Sequence, residues 1–313
     1  MRTFLLTFGM ICASTAALAQ GTTPSSTAIV IKHDAAVART GCDWIGADGK
    51  WKLAITDGND RSKDSPADAY CWKARMFEFP GVMANEIHFT KKGVKTPVEF
   101  HAVDSFLYVE QGHAHNMLEG TIMDSSPGDA VFHNTGAWHQ NEAMTDDYVQ
   151  VEFKLPHATN DSNNPAVGKK GLDIDRFPRQ IGAQIRNADV PGSDVCEVKT
   201  GGETKMVQRN AKTASTIPKD ARCLNVKVVM ARPSGRLIEL RLPKGMKTEP
   251  HQNTPEDTLF RVVKGRVHFD GAGQSVDMNP GDMAYVPMGA LHTFTVLDDA
   301  HLLETHYIPL AAR

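Results

Sequence analysis

Net charge of either sign is what this chain most lacks. Its 37 acidic residues against 34 basic ones leave a formal charge of −3. That gives no electrostatic reason to expect nucleic acid or an anionic membrane as a partner. Beyond residue 19, no apolar run is long enough to cross a bilayer. There is no glycine-rich phosphate loop ahead of a helix, no Gly-x-Ser-x-Gly elbow and no His-Glu-x-x-His run. Nucleotide-dependent, serine-hydrolase and zincin chemistry therefore have no residues to stand on. Cysteine is sparse, at five residues in 313.

The first nineteen residues read as a secretory leader. Arg2 supplies a positive start, an apolar run covers 4–13, and Ala17-Leu18-Ala19 is a small-x-small cleavage site. Cys12 lies inside the apolar run, which does not fit a lipid-attachment site. The expectation is a mature chain from about Gln20, exported to the periplasm or beyond.

What is present in abundance is a duplication. Gly281-Asp282-Met283-Ala284-Tyr285-Val286-Pro287-Met288-Gly289-Ala290-Leu291-His292 reads as a turn, a short buried strand, a second turn and a histidine. Gly128 to His139 repeats it 153 residues earlier. The match runs without a gap from 104–143 onto 257–296 and includes Asp104/Asp257, Gly112/Gly265, Pro127/Pro280, Gly136/Gly289 and His139/His292. A repeat of that period is a domain. We expect a first unit over 20–155, a connection over 156–191 with a short helix near 176–185, and a second unit over 192–313. Strand candidates at 106–110, 114–118, 130–133 and 148–153, separated by Gly and Pro turns, point to an all-β sandwich or barrel.

The duplication also organises the cysteines. Cys42 and Cys196, like Cys71 and Cys223, stand about one repeat apart. Each unit then carries an equivalent pair. Of the three pairings open to four cysteines, Cys42–Cys71 and Cys196–Cys223 are expected, in keeping with an oxidising compartment.

The spacing Gly-x(5)-Pro-x-Gly-x(2)-His resembles the second signature of the cupin family. The resemblance implies two tandem double-stranded jelly-roll domains, a bicupin. It also implies a site for one divalent Fe, Mn, Ni, Cu or Zn ion, held by histidines and a carboxylate on neighbouring strands. In the second unit, the first-signature position Gly245-x(5)-His251 is kept, and Asn253 stands where the family has a second histidine. The resemblance therefore implies His251, Asp257 and His292 as ligands, with Glu256 as a general base. Counted back from Gly265, the carboxylate position falls instead on Thr258. In the first unit, placing one gap before Val98 puts Val98 opposite His251, and a shifted site of His101, Asp104 and His139 is the candidate. The family spans enzymes and plain binders. A metal-dependent dioxygenase or lyase acting on a small organic molecule is one expectation, and a metal-free carbohydrate or small-ligand binder is the other. A homodimer is open to such a chain.

Overall fold

A computed structural model describes residues 27–33, 39–41, 44–45, 51–52, 71–79, 82–101, 103–155 and 183–307. The leader, Cys42, most of the connection and the C-terminal tail lie outside these residues. The first half contributes β1 (Ile29–Ile31), β2 (Arg39–Gly41), β3 (Trp44–Ile45), β4 (Trp51–Lys52), β5 (Cys71–Phe79) and β6 (Val82–Phe89). It continues with β7 (Asp104–Gln111), β8 (Ala114–Leu118), β9 (Thr121–Ser125), β10 (Ala130–His133), β11 (His139–Ala143) and β12 (Tyr148–Leu155). The second half has β13 (Ala183–Ile185), β14 (Ser193–Thr200), β15 (Glu203–Gln208), β16 (Cys223–Arg232) and β17 (Gly235–Leu242). It closes with β18 (Asp257–Gly271), β19 (Gln274–Met278), β20 (Met283–Val286) and β21 (His292–Tyr307). The fold is all-β, two jelly-roll domains, and residues 183–185 form a strand where a helix was expected.

The two halves are built alike. In the first, the sheet order β13-β10-β7-β12-β6-β5-β2 faces a small sheet β11-β8-β9. In the second, β18 and β21 are long enough to serve both layers, and the central order is β1-β20-β18-β21-β17-β16. Gly112 and Gly265 mark the same turn, with φ of 74° and 76°. A Cβ on Gly265 would lie 2.1 Å from the Asp299 carbonyl oxygen, so only glycine fits.

One edge strand of each main sheet belongs to the other half. β1 pairs antiparallel with β20 of the second domain, Ile31 opposite Met283. β13 pairs in the same way with β10 of the first, Ile185 opposite Ala130. The domains exchange strands. Between them lies a shared apolar core of Phe106, Phe132, Phe153, Leu155, Leu237, Leu259, Leu303 and Tyr307. This explains why every residue of β12 is buried. Val151, Phe153 and Leu155 join the shared core, so the alternate residues Gln150, Glu152 and Lys154 face the interior of the first barrel.

Polar contacts across the interface repeat the same symmetry. Arg261 of the second domain bonds Glu86 and, at 2.7 and 2.8 Å, both oxygens of Glu110 in the first. Tyr108, the repeat partner of Arg261, donates its hydroxyl to Glu239 at 3.1 Å. His33 reaches Glu86, and Asn187, one repeat later, donates to Glu239. A disulfide joins Cys196 to Cys223 between β14 and β16. Cys71 is also disulfide-bonded, and the expected partner, Cys42, is outside the described residues.

Candidate metal centre

Strand pairing fixes which residues of the two halves are equivalent. Glu99 and His139 bridge each other through both backbone hydrogen bonds, at 2.9 and 2.8 Å. His251 and His292 do the same, at 3.0 and 2.9 Å. Glu99 is therefore the counterpart of His251, and His101 that of Asn253. The gap placed before Val98 belongs after His101, where Thr254-Pro255-Glu256 stands against Ala102-Val103. Ser105 pairs with Lys154 as Thr258 pairs with His306. Leu107 pairs with Glu152 as Phe260 pairs with Glu304, so Glu152 and Glu304 are also equivalent.

In the first barrel these positions converge. Among the described residues, Glu99, His101 and His139 form the one group of three His, Cys, Asp or Glu side chains whose donor atoms all lie within 4.8 Å of one another. The His101 and His139 ring centroids are 4.8 Å apart, and His139 Nε2 is 3.9 Å from Glu99 Oε1. The His139 Nδ1–H donates to the Ala137 carbonyl at 2.9 Å. That bond fixes the tautomer and leaves the Nε2 lone pair facing the carboxylate. Burial holds His139 below the usual histidine range, against the raising effect of Glu99, so it is neutral as a ligand must be. Glu152 is the fourth group, 3.6 Å from His101 Nε2 and 3.6 Å from Lys154 Nζ. Two imidazoles and a carboxylate suit a divalent transition ion. Donors sharing an ion at about 2.1 Å lie roughly 3–4 Å apart, so a small side-chain adjustment closes this set on one.

Asp104 does not join this group. Its Oδ1 accepts from the Thr135 backbone and hydroxyl, each at 2.9 Å, and its Oδ2 from Ser234 Oγ at 2.6 Å. Asp257, its counterpart, behaves likewise: Tyr285 Oη and Met288 N donate to it at 2.9 and 2.7 Å. On a strand, neighbouring side chains take opposite faces. Thr258 looks into the second barrel with His306, and Asp257 looks towards the inter-domain side. The carboxylate expected at 257 is one residue off the inward face.

The second barrel keeps His251 and His292 together, with ring centroids 4.2 Å apart. Each imidazole is anchored through Nδ1 to a backbone carbonyl, Glu249 at 2.9 Å and Ala290 at 3.0 Å. The third position is filled differently. His306 lies 2.8 Å from Glu304 and 3.3 Å from Glu256, which also bonds Arg236. Burial opposes charge on His306, yet the two carboxylates push it up to about 9. His306 and Arg236 in turn hold Glu256 below the usual carboxylate range, against burial. An ion-paired carboxylate of that kind is a weak base, so the general-base role expected of Glu256 has little chemical support. An imidazolium supplies the positive charge here. Because the folded value of His306 exceeds about 6.5, its stabilisation is complete below that pH and is lost as pH rises through about 9. Urea melts from pH 6 to 10 should show a loss on the order of 3 kcal/mol that His306→Gln removes.

The two interiors differ most in polarity. Phe269 faces Phe294 across β18 and β21, and Asn116 faces Asn141 at the matching place in the first barrel. Val286 and Leu302 of the second barrel correspond to His133 and Gln150 of the first. His133 stacks on His139 with ring centroids 3.9 Å apart. Burial and the neighbouring His139 hold it well below the usual histidine range. Sequence reasoning passed over Glu99, His133, Glu152 and His306 as ligand or pocket groups. For Glu152 the available signal was the alternation Gln150-x-Glu152-x-Lys154 against Val151, Phe153 and Leu155, a strand with one polar and one apolar face.

A family model for the cupin domain matches residues 238–306. The fold is similar to that of a putative glyoxylate induced protein from Pseudomonas aeruginosa, at 9% identity and a TM-score of 0.59, covering 94% of this chain and 93% of that one. It is also similar to AerE from Microcystis aeruginosa, at 9% identity and a TM-score of 0.53, covering 77% of this chain and 94% of that one. A third is the formate complex of Lactobacillus farciminis oxalate decarboxylase, at 11% identity and a TM-score of 0.54, covering 77% of this chain and 82% of that one. No curated protein matches the chain in sequence. Likeness at these identities concerns fold.

Proposed function

We propose that this chain, which matches a cupin-domain model over residues 238–306 and has a fold that serves metal chemistry and plain ligand binding alike, is an exported, metal-dependent enzyme acting on a small organic molecule. The observation that carries this reading is the convergence of Glu99, His101 and His139 in the first barrel. Bound there, a divalent Fe, Mn, Ni, Cu or Zn ion would supply Lewis-acid or redox chemistry of the lyase or dioxygenase kind. The protein's own groups do the rest. His139 is oriented through Ala137, Glu152 stands beside His101 and Lys154 where it can accept a proton, and the barrel wall excludes bulk water. Export is supported by the leader-like N-terminus and by the Cys196–Cys223 disulfide.

Metal analysis of the mature protein, expressed in the periplasm, tests this. Near-stoichiometric metal should survive His251→Ala/His292→Ala and disappear in His101→Ala/His139→Ala. Loss only in the second-domain variant would move the centre to the second barrel. No metal in any form after reconstitution would leave the alternative reading, a binding protein for a carbohydrate or other small ligand. That alternative has its footing in the buried polar groups of the first barrel that have no hydrogen-bond partner among the described residues, which a neutral ligand could satisfy without an ion.

A further inference from the structure

The interior of the first barrel holds more unpaired polarity than a metal site explains. Asn85 Oδ1, Ser105 Oγ, Asn116 Oδ1, Asn141 Oδ1, Gln150 Nε2 and both nitrogens of His133 are buried with no hydrogen-bond partner among the described residues. Each such group costs about 1–3 kcal/mol if left unpaired. In the second barrel, Ile238, Phe269, Phe294, Leu302 and Val286 stand in place of Asn85, Asn116, Asn141, Gln150 and His133 and need no partner, while Ser105 is matched by Thr258. At these five positions one domain carries hydrocarbon, and the other carries acceptors and donors. Asn85 and Gln150 are pinned from behind: Asn85 Nδ2 donates to Glu152 at 3.3 Å, and the Gln150 carbonyl oxygen accepts from Tyr148 Oη at 2.6 Å. Their free ends are therefore set by the wall. Groups that both donate and accept, as alcohol hydroxyls do, match a lining of mixed amide oxygens, amide nitrogen and imidazole.

The chamber also has a charge requirement. Lys154, 8% exposed, reaches Glu152 at 3.6 Å. It lies within electrostatic range of His133 and His139, and half-buried Lys73 lies within range of Lys154, Glu152 and Glu99. Lys154 offsets Glu152. Glu99 would offset only half of a divalent ion, which leaves at least one positive charge in a poorly solvated space. An anionic ligand group closes that balance, and an ammonium beside the centre is a point-charge receptor for a carboxylate.

We propose that the first barrel binds a small hydroxylated carboxylic acid, its carboxylate held by Lys154 and its hydroxyls by Asn116, Asn141, Gln150 and His133. This rests on the first-barrel site proposed above and names the substrate class for it.

The test is calorimetric titration of the mature protein, apo and metal-reconstituted, with gluconate, tartrate and glycolate as probes. Erythritol and glycerol are the neutral controls, and succinate and acetate the controls without hydroxyls. Hydroxy acids should bind saturably and about 10-fold or more tighter than either control class, the measure of one charge-assisted hydrogen bond. Lys154→Met should erase the preference for acids over neutral polyols, and Lys154→Arg should restore part of it. The arginine variant guards against a folding defect in the methionine one. Equal binding of erythritol and tartrate, an unchanged profile in Lys154→Met, or no binding by the wild-type protein would each overturn the proposal. Metal content measured on the same samples separates the two readings. Metal bound without acid binding removes this proposal and keeps the metal centre. Acid bound without metal does the reverse.

Discussion

Arg261→Met should lower the stability of the whole chain by about 3–5 kcal/mol, the range for breaking a buried ion pair from one side. For domains of this size that is a fall in Tm of roughly 10 °C. The guanidinium sits between two domains and is 2% exposed. It makes two bonds to Glu110, one to Glu86 and one, at 2.9 Å, to the Gly281 carbonyl. Methionine keeps most of the volume and removes all four. Glu86, itself 2% exposed, is then left with His33 and His88 alone. Burial pushes its carboxyl up, and at present the His88 hydrogen bond and the Arg261 charge more than reverse this. The double variant Arg261→Met/Glu86→Gln should recover part of the loss, because the more deeply buried of the two carboxylates left unpaired is then neutral. Differential scanning calorimetry on both variants measures the effect. A drop of less than about 1 kcal/mol in the single variant would show a network open enough to water to behave like a surface pair.

A larger effect is expected from exchanging the linings of the two barrels. Phe269 and Phe294 face each other with ring centroids 5.4 Å apart. Phe269→Asn/Phe294→Asn should cost about 6–10 kcal/mol, from about 3–5 kcal/mol for each buried phenylalanine lost, and leave the second domain unfolded near room temperature. The opposite exchange, Asn116→Phe/Asn141→Phe, removes two unpaired amide oxygens and adds two buried rings. Burial of the rings contributes about 1.5–3 kcal/mol each, less a penalty of about 1–3 kcal/mol for crowding. The net is a gain of about 2 kcal/mol, with loss of gluconate or tartrate binding. Urea denaturation beside the titrations separates the outcomes. A filled first barrel that still bound the acids would show that the ligand sits elsewhere.

Much of the fold was legible from the second signature. Pro127-Gly128, Gly136 and His139, repeated as Pro280-Gly281, Gly289 and His292, specify turns and a strand through backbone chemistry that sequence states directly. The Cys196–Cys223 pair was legible from the same duplication. The site was less so, for one physical reason. A strand reverses its facing every residue, so a gap set one position early moves a carboxylate from the barrel to the interface. Asp104 and Asp257 are identical across the repeat because each supports the turn that follows β10 or β20, and Asp104 also bonds Ser234 of the other domain. Their identity reads as a ligand pair until the register is known. Glu152 and His306 come from the last strands, far from either signature, and only the pairing of β12 with β7 and of β21 with β18 brings them to the centre. The strand exchange was not legible at all, since β1 and β13 are three-residue strands whose partners lie in the other half.

That exchange sets an order of events for a chain made from its N-terminus. β1 is among the first segments to leave the ribosome or emerge from a translocation channel, yet its partner β20 is among the last. The first domain, for its part, receives its edge strand β13 only once synthesis has passed the connection. A newly made first half therefore waits with one sheet edge open and one strand idle, and an unpaired edge invites pairing with a neighbouring chain. Secretion that delivers the whole chain before folding would give both edges their proper partners at once. Cutting the connection in the finished protein would not release two halves, because each still holds a strand of the other.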